Sequence, residues 1–316
     1  DVPKVEVTPE PDPFDDIFNH MKNVPIEEYA GRNDKIHIVK GHSLNSRLTS
    51  IPAIQRTMKK AFVIRMQDKY KINTLPETGV TLPIHFLLMK NQMTVTLDTS
   101  GVGLHKRGYR AMSNAAPIKE TLAAGIIDIA RARNAETVID PFCGSGTILI
   151  ESAFKAANIA PCLNRNFAAM DWGFADRKVW ADAFDEAREA IRKDCGFTAL
   201  GFNIDKAACE LTRENSWKAG VDKYIKVEKR AIKDFVYPEG KSKIITNPPY
   251  AERMGDINEA KEIYRTMGKR MLPLGENELY AITSVEDFET LFGEKASKNR
   301  KLYNGMLMCR LYSYVG

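Results

Sequence analysis

Two stretches of this 316-residue chain carry residue types suited to chemistry on a ring-bearing ligand. The first is Asn247-Pro248-Pro249-Tyr250, which follows the apolar run Ile244-Ile245. Prolines fix φ and donate no backbone hydrogen bond, so a strand must stop there with its end held rigid. A side-chain amide, a bare carbonyl and an aromatic face at one strand end could hold a planar ring that bears an amine. Asn-Pro is also a common turn signal, and a plain strand-terminating turn is the competing reading. The second stretch is Asp140-Pro141-Phe142-Cys143-Gly144-Ser145-Gly146-Thr147, which reads as strand, turn and helix. Gly144 and Gly146 let the backbone pass close to a ligand, and the helix N-terminus behind them favours a negative group.

The details of the glycine turn choose among ligands. A third glycine of the dinucleotide fingerprint would fall at Leu149, so that fingerprint is absent. No Lys-Ser/Thr follows at the spacing of a P-loop, and Ser145 lacks the glycine two places before it that a nucleophile elbow needs. What remains is Asp140 ahead of a G-x-G turn. An acid at that strand end can take the amino group of an aminoacyl moiety, with the turn lying against its ribose. The five histidines have no metal-ligand spacing, and the five cysteines form no C-x-x-C pair, so no metal is expected. The odd cysteine count argues against a disulfide framework and for a reducing cytoplasm. Cys162, after the helix that follows the turn, reads as structural.

These motifs need strand ends to hold them, and the pattern around them supplies strands alternating with helices. Strands are expected at 137–139, 199–202, 224–227, 243–246 and 279–283, with helices at 146–157, 181–192, 206–218 and 257–271. The final residues, 301–314, read as a strand pair turning at Asn304-Gly305. The expected fold class is α/β: a mostly parallel Rossmann-like sheet covered on both faces, with an antiparallel element at its edge. Before it, a strand at 35–39, a helix from Ser50 to Lys69 and a hairpin turning at Lys90-Asn91-Gln92 make a smaller α+β domain. The boundary is placed near residue 112. The first residue is Asp1, which suits a chain that begins partway through a longer one.

Charge is mildly basic: 46 Lys and Arg against 41 Asp and Glu give +5, which permits nucleic acid as a partner. Lys59 and Lys60 lie on the polar face of the 50–69 helix, as phosphate contacts or as a solvated face. The glycine-rich run 101–110 carries His105, Lys106, Arg107 and Arg110, which could follow a phosphate backbone or form a flexible link. The run Lys295–Lys301 could help grip RNA or form a solvated strand end. No apolar run approaches the length of a membrane-spanning helix.

Asp140–Thr147 resembles the first motif of class I S-adenosylmethionine-dependent methyltransferases. Asn247–Tyr250 resembles the fourth motif of those that methylate exocyclic amines of nucleic-acid bases. Ala116-Pro-Ile-Lys-Glu-Thr-Leu-Ala-Ala124, Asn164-Arg-Asn-Phe-Ala168 and Arg300-Lys-Leu-Tyr-Asn-Gly305 resemble a narrower family. These are the THUMP-domain methyltransferases related to the bacterial large-subunit rRNA guanine-N2 methyltransferase, many of which carry a generic adenine-methylase label. The resemblance implies an N-terminally truncated THUMP-type RNA-binding region over 1–112 and a class I methyltransferase domain over 113–316. It implies S-adenosylmethionine as cofactor and rRNA, or a ribosome assembly intermediate, as partner. It makes Asn247-Pro248-Pro249-Tyr250 the catalytic clamp, with Asn247 also reaching the cofactor.

The chain departs from the family pattern in Gly201-Phe-Asn-Ile-Asp205, where Asn203 stands at the place of the acid that holds the cofactor ribose. Asp205 is a possible substitute. Asp234 is the acid expected near the adenine, with helix capping as its competing role. Ala251 stands in place of the glycine after the clamp. The activity implied is methylation of guanine N2 in 23S rRNA. Adenine N6 on DNA or RNA is the alternative, and an RNA-binding module with an inactive methyltransferase domain is the alternative from another class.

Overall fold

Asp12 starts the first helix, α1 (Pro13–Asn23), by accepting a hydrogen bond from the Phe14 N–H at 2.9 Å, with Pro13 pre-set for the first turn. The computed structural model describes residues 12–110, 117–132, 136–249 and 257–315. By contacts the chain divides into two units, Asp1–Gly103 with Asn166–Asp182, and Leu104–Arg165 with Ala183–Gly316.

In the first unit β1 (Lys35–Leu44) and β2 (Thr81–Met89) run parallel, joined by the long helix α2 (Ile51–Tyr70). β3 (Gln92–Leu97) returns antiparallel to β2 through Lys90 and Asn91, both at positive φ as a two-residue hairpin turn requires. The stripe Ile54, Met58, Phe62 and Met66 of α2 is fully buried against Ile36, Leu82 and Ile84 of the sheet. Residues 166–182, expected with the second domain, belong to this unit. The Ala169 N–H donates to the Thr99 carbonyl at 3.1 Å, and Ala169 and Trp172 are buried in the same core.

The second unit is built on a seven-stranded sheet, and its first helix is α3 (Glu120–Ala130). Next come β4 (Thr137–Asp140), α4 (Thr147–Ala156), β5 (Thr198–Asn203), α6 (Lys206–Lys218) and β6 (Ile225–Lys229). The helix at Arg177–Glu189, here α5, lies between α4 and β5 in sequence. The second half comprises β7 (Ser242–Thr246), α7 (Ile257–Met271), β8 (Glu278–Thr283), α8 (Phe288–Phe292), β9 (Lys298–Asn304) and β10 (Leu307–Tyr314). Spatial order is β6-β5-β4-β7-β8-β10-β9, with β10 antiparallel to both its neighbours and the pairs from β6 to β8 parallel. Successive residues of the central strands face opposite sides. Val138 and Ile245 pack into one core with α3 and α4, while Ile139 and Ile244 pack into the other with Tyr264 and Met267 of α7. The expected α/β class and its antiparallel edge are both present.

The glycine-rich run 101–110 is anchored at its end rather than free. Arg107, 9% exposed, faces Glu151 with both N–H···O distances at 3.4 Å and donates to the Leu104 carbonyl at 2.7 Å. The Tyr109 hydroxyl donates to the same carboxylate at 3.1 Å. Burial pushes the Glu151 carboxyl up from its ordinary range, and Arg107 and Tyr109 oppose that shift. Arg107 is thus an interior cation, not a phosphate ligand. Removing one partner of a buried pair leaves the other uncompensated. Arg107→Ala is therefore expected to cost about 3–5 kcal/mol of unfolding free energy near pH 8, read by urea denaturation. A loss below about 1 kcal/mol would refute the buried pairing.

Candidate active site at the carboxyl edge of the large sheet

β4 and β7 are neighbours where the strand order reverses, so their carboxyl ends flank the crevice in which open α/β sheets take ligands. Asp140 ends β4 and is 2% exposed. Its Oδ1 accepts from the Thr246 hydroxyl at 2.7 Å and from the Phe142 N–H at 3.1 Å. Burial pushes this carboxyl up to about 7, against the pull of those two hydrogen bonds.

The turn that follows is held from behind. Gly144 and Gly146 have φ of +54° and +80°, and the Gly146 N–H closes the turn onto the Cys143 carbonyl at 2.7 Å. A Cβ on Gly146 would stand 2.6 Å from Cγ2 of Thr212 on α6, so this glycine serves helix packing as well as its own conformation. Thr212 Oγ1 donates to the Gly144 carbonyl and Asn215 Nδ2 to the Ser145 carbonyl, each at 2.9 Å. Burial pushes the Cys143 thiol up to about 12, and Ser145 and Thr147 are buried with their hydroxyls 3.2 Å apart.

Every residue of β7 is buried, and Asn247 follows directly, half-buried. Its Oδ1 is buried with no hydrogen-bond partner, a costly state for an amide oxygen unless a ligand supplies the donor. The Tyr264 hydroxyl donates to the Pro249 carbonyl at 2.9 Å and lies 2.9 Å from Thr283 Oγ1, which fixes the turn beyond Pro248. Tyr250 and Ala251 lie outside the described residues.

Two cavities meet at this edge. One of about 100 Å³ is lined by Asp140, Gly144, Ser145, Thr147 and Asn247, with Phe142, Cys143 and the 117–118 segment among its walls. The other, about 610 Å³, is lined by Pro141, Phe142, Asn203, Ile204, Ile232, Asn247 and Pro249, with further residues from 230–233 and α7. Phe142 and Asn247 belong to both.

The remaining site candidates fall elsewhere. Asp205 caps α6, accepting from the Ala207 N–H at 2.9 Å, and is absent from both cavity walls, so a helix start claims its carboxylate. Asp234 is exposed in a short turn from which Ile232 and Lys233 line the cavity instead. Arg110 pairs with Glu120 at 3.3 Å and donates to the Ile118 carbonyl and the Thr147 hydroxyl. Like Arg107, it is an internal brace rather than a phosphate contact. Lys59 pairs with Glu77 at 2.9 Å, and Lys60 is exposed with its Nζ 5.9 Å from the Phe18 ring centroid. Lys106 is exposed and His105 half-exposed. Thr246, Thr212 and Asn215 hold the site although no sequence motif marks them. A hydroxyl directly before the clamp, and two polar residues three apart on the buried side of α6, were the available signals.

Residues 107–313 match a family described as UPF0020, the RMKL-like methyltransferase domain. The chain belongs to this methyltransferase family. It is 38% identical over 303 residues to "Putative RNA methyltransferase YpsC" of Bacillus subtilis (strain 168), covering 95% of this chain and 78% of that protein. It is 32% identical over 323 residues to "Ribosomal RNA large subunit methyltransferase K/L" of Syntrophotalea carbinolica, covering 95% of this chain and 44% of that protein. The chain thus spans less than half the length of that K/L relative. The crystal structure of SMU.472, described as "a putative methyltransferase complexed with SAH", superposes with a TM-score of 0.90 at 36% identity, covering 96% of this chain and 80% of that one. Among the described residues of this UPF0020 member, no helix is long and apolar enough to cross a membrane, and no group of three His, Cys, Asp or Glu could hold a metal.

The Asp140 carboxyl makes stability depend on pH. Between about pH 4 and pH 7 the folded chain keeps a proton here that the unfolded chain releases. This residue's contribution to the unfolding free energy therefore falls as pH rises through that window and levels off above it. Asp140→Asn is expected to gain on the parent across the window, by up to about 1.4 kcal/mol per pH unit. Urea unfolding at several pH values between 4.5 and 7.5 measures this, and a constant difference would mean that the carboxyl keeps an ordinary pKa.

Proposed function

We propose that this chain transfers a methyl group from S-adenosylmethionine to an exocyclic base amine of RNA, guanine N2 of large-subunit rRNA. The observation that carries the reading is the orphaned Oδ1 of Asn247, an acceptor without a donor where the two cavities join.

The residues present fit the cofactor. The larger cavity offers Ile204 and Ile232 as apolar walls for a flat ring. Asn203 Oδ1 accepts from the Asp205 N–H at 2.9 Å, which leaves its NH₂ to donate to a ribose hydroxyl. Asp140 lines the smaller cavity, where a carboxylate can receive the ammonium of an aminoacyl tail, and the backbone of Gly144-Ser145 lies beside it. When bound, the cofactor supplies an electrophilic methyl on a sulfonium. The description of SMU.472 as complexed with SAH supports the same choice.

The base amine is a poor nucleophile because its lone pair is delocalised into the ring. Asn247 Oδ1 accepts one of its N–H groups and the Pro248 carbonyl a second, which localises the lone pair and aims it. Tyr264, by holding the Pro249 carbonyl, keeps both acceptors in register without ligand-dependent rearrangement. Tyr250 supplies the stacking face for a base that is single-stranded or has left its helix. Methyl transfer needs no covalent enzyme intermediate, and the proton of the alkylated amine passes to solvent.

RNA as the substrate class rests on the named relatives, and guanine N2 on the resemblance of the sequence motifs to the guanine-N2 family. The unit Asp1–Gly103 with Asn166–Asp182 is the proposed THUMP-type RNA-binding part, with Lys60 as its basic candidate, His105 and Lys106 as candidates in the other unit, and the cytoplasm as the proposed compartment. Nucleoside mapping of rRNA from a deletion strain is expected to show the loss of one N2-methylguanosine. Loss of an N6-methyladenosine instead would move the reading to the other amine. In vitro, Asn247→Ala is expected to lower kcat at least a hundredfold, about 3 kcal/mol of transition-state stabilisation, with cofactor affinity within a few-fold of the parent. Retention of more than about a tenth of the rate at saturating cofactor would remove the amide from this role.

A further inference from the structure

The hairpin β9–β10 is the outer edge of the large sheet and overhangs the active-site end. Thr246 lies opposite Ala281, Ala281 opposite Tyr312, and two residues further on Thr283 lies opposite Arg310 and Arg310 opposite Lys301. Tyr303 and Met308 form the next pair on that face, and the turn at Gly305 and Met306 follows. At about 3.3 Å per residue, Tyr303 therefore stands roughly 13 Å beyond Thr246 along the strands. At about 4.8 Å between strands, it is displaced roughly 14 Å sideways from β7. The hairpin rises beside the crevice rather than ending level with it.

The face it presents is basic and aromatic. Lys301 and Arg310 are cross-strand neighbours of like charge, an arrangement that weakens a sheet. Neither has a carboxylate partner among the described residues, and Glu286, whose carbonyl accepts from Tyr312, does not reach Arg310 as an ion pair. Arg310 donates to Asn299 Oδ1 at 3.1 Å, which orients its guanidinium without neutralising it. Tyr303 is 57% exposed and carries Lys301 Nζ 5.5 Å from its ring centroid, while Met306 at the tip is 98% exposed. An exposed ring beside one ammonium, with a second cation on the same face of the hairpin, suits a base and its phosphates.

We infer that this face of the hairpin docks the RNA segment flanking the target nucleotide, with Tyr303 stacking on an unpaired base and Lys301 and Arg310 facing its phosphates. The inference rests on the RNA reading of the active site. It adds a second point of attachment that selects which nucleotide reaches Asn247. The like-charge pair is its signature: stability given up at a surface that a polyanion neutralises.

The test uses the full chain, in vitro transcribed large-subunit rRNA, and the variants Lys301→Glu and Tyr303→Ala. Lys301→Glu places an acid opposite Arg310, so its melting temperature is expected to equal or exceed the parent's. Its KM for RNA is expected to rise about tenfold, with a shallower salt dependence of binding. Tyr303→Ala is expected to raise KM about five- to tenfold. In both, cofactor affinity by calorimetry and kcat at saturating RNA stay within twofold. KM values within twofold of the parent for both variants would overturn the docking face while leaving the methyltransferase reading intact. A parent that methylates no RNA would overturn both. Loss of activity on assembled ribosomal particles with unchanged binding of the naked transcript would assign the face to a protein partner and overturn the RNA inference.

Discussion

The hydrogen bond from Thr246 to Asp140 joins the ends of two strands whose sequence positions lie about a hundred residues apart, and the site depends on it. The parallel pairing of β4 with β7 brings the two ends side by side, but pairing alone does not fix what the side chains do there. The threonine hydroxyl occupies one carboxylate oxygen, as does the Phe142 N–H. Asp140 lines the smaller cavity, and Asn247 is delivered one residue beyond the threonine. A single bond thus sets the relation between the group proposed to hold the aminoacyl tail and the group proposed to hold the base.

Around that bond the structure spends its rigidity on backbone carbonyls. Thr212 and Asn215 hold the carbonyls of Gly144 and Ser145, and Tyr264 holds that of Pro249. In each case a side chain from a packed helix fixes a turn that has no regular structure of its own. Two buried amide oxygens are left without a donor, that of Asn215 behind the turn and that of Asn247, and only Asn247 lines the cavities. A site that leaves an acceptor unpaired in its cavity wall is organised for a donor before that donor arrives.

The alternation of strand and helix and the two motifs were legible in the sequence because period and turn chemistry are local properties. The hairpin turn at Lys90-Asn91, the helix from Lys206 to Lys218 and the antiparallel edge all followed from such local signals. What escaped was set by partners distant in sequence. Arg107 and Arg110 look like surface cations until Glu151 and Glu120 are seen to face them. Residues 166–182 sit between a helix and a strand of one unit in sequence, yet Trp172 and Ala169 supply core to the other. Asp205 carried the right chemistry for a ribose, but the start of α6 needed the same carboxylate. A local pattern names an element, whereas competition for a charged group is decided only in space.

The position of Cys143 carries a consequence for the durability of the protein. Cys143 is among the residues of the smaller cavity's wall, its sulfur accepts from Thr212 Oγ1 at 3.6 Å, and burial pushes the thiol up to about 12. A sulfonium methyl donor is an alkylating agent, and a thiolate in its pocket would be a better acceptor than any aromatic amine. Burial holds this sulfur in its protonated, weakly nucleophilic form. The interior that raises the carboxyl of Asp140 thereby also lowers the reactivity of this thiol.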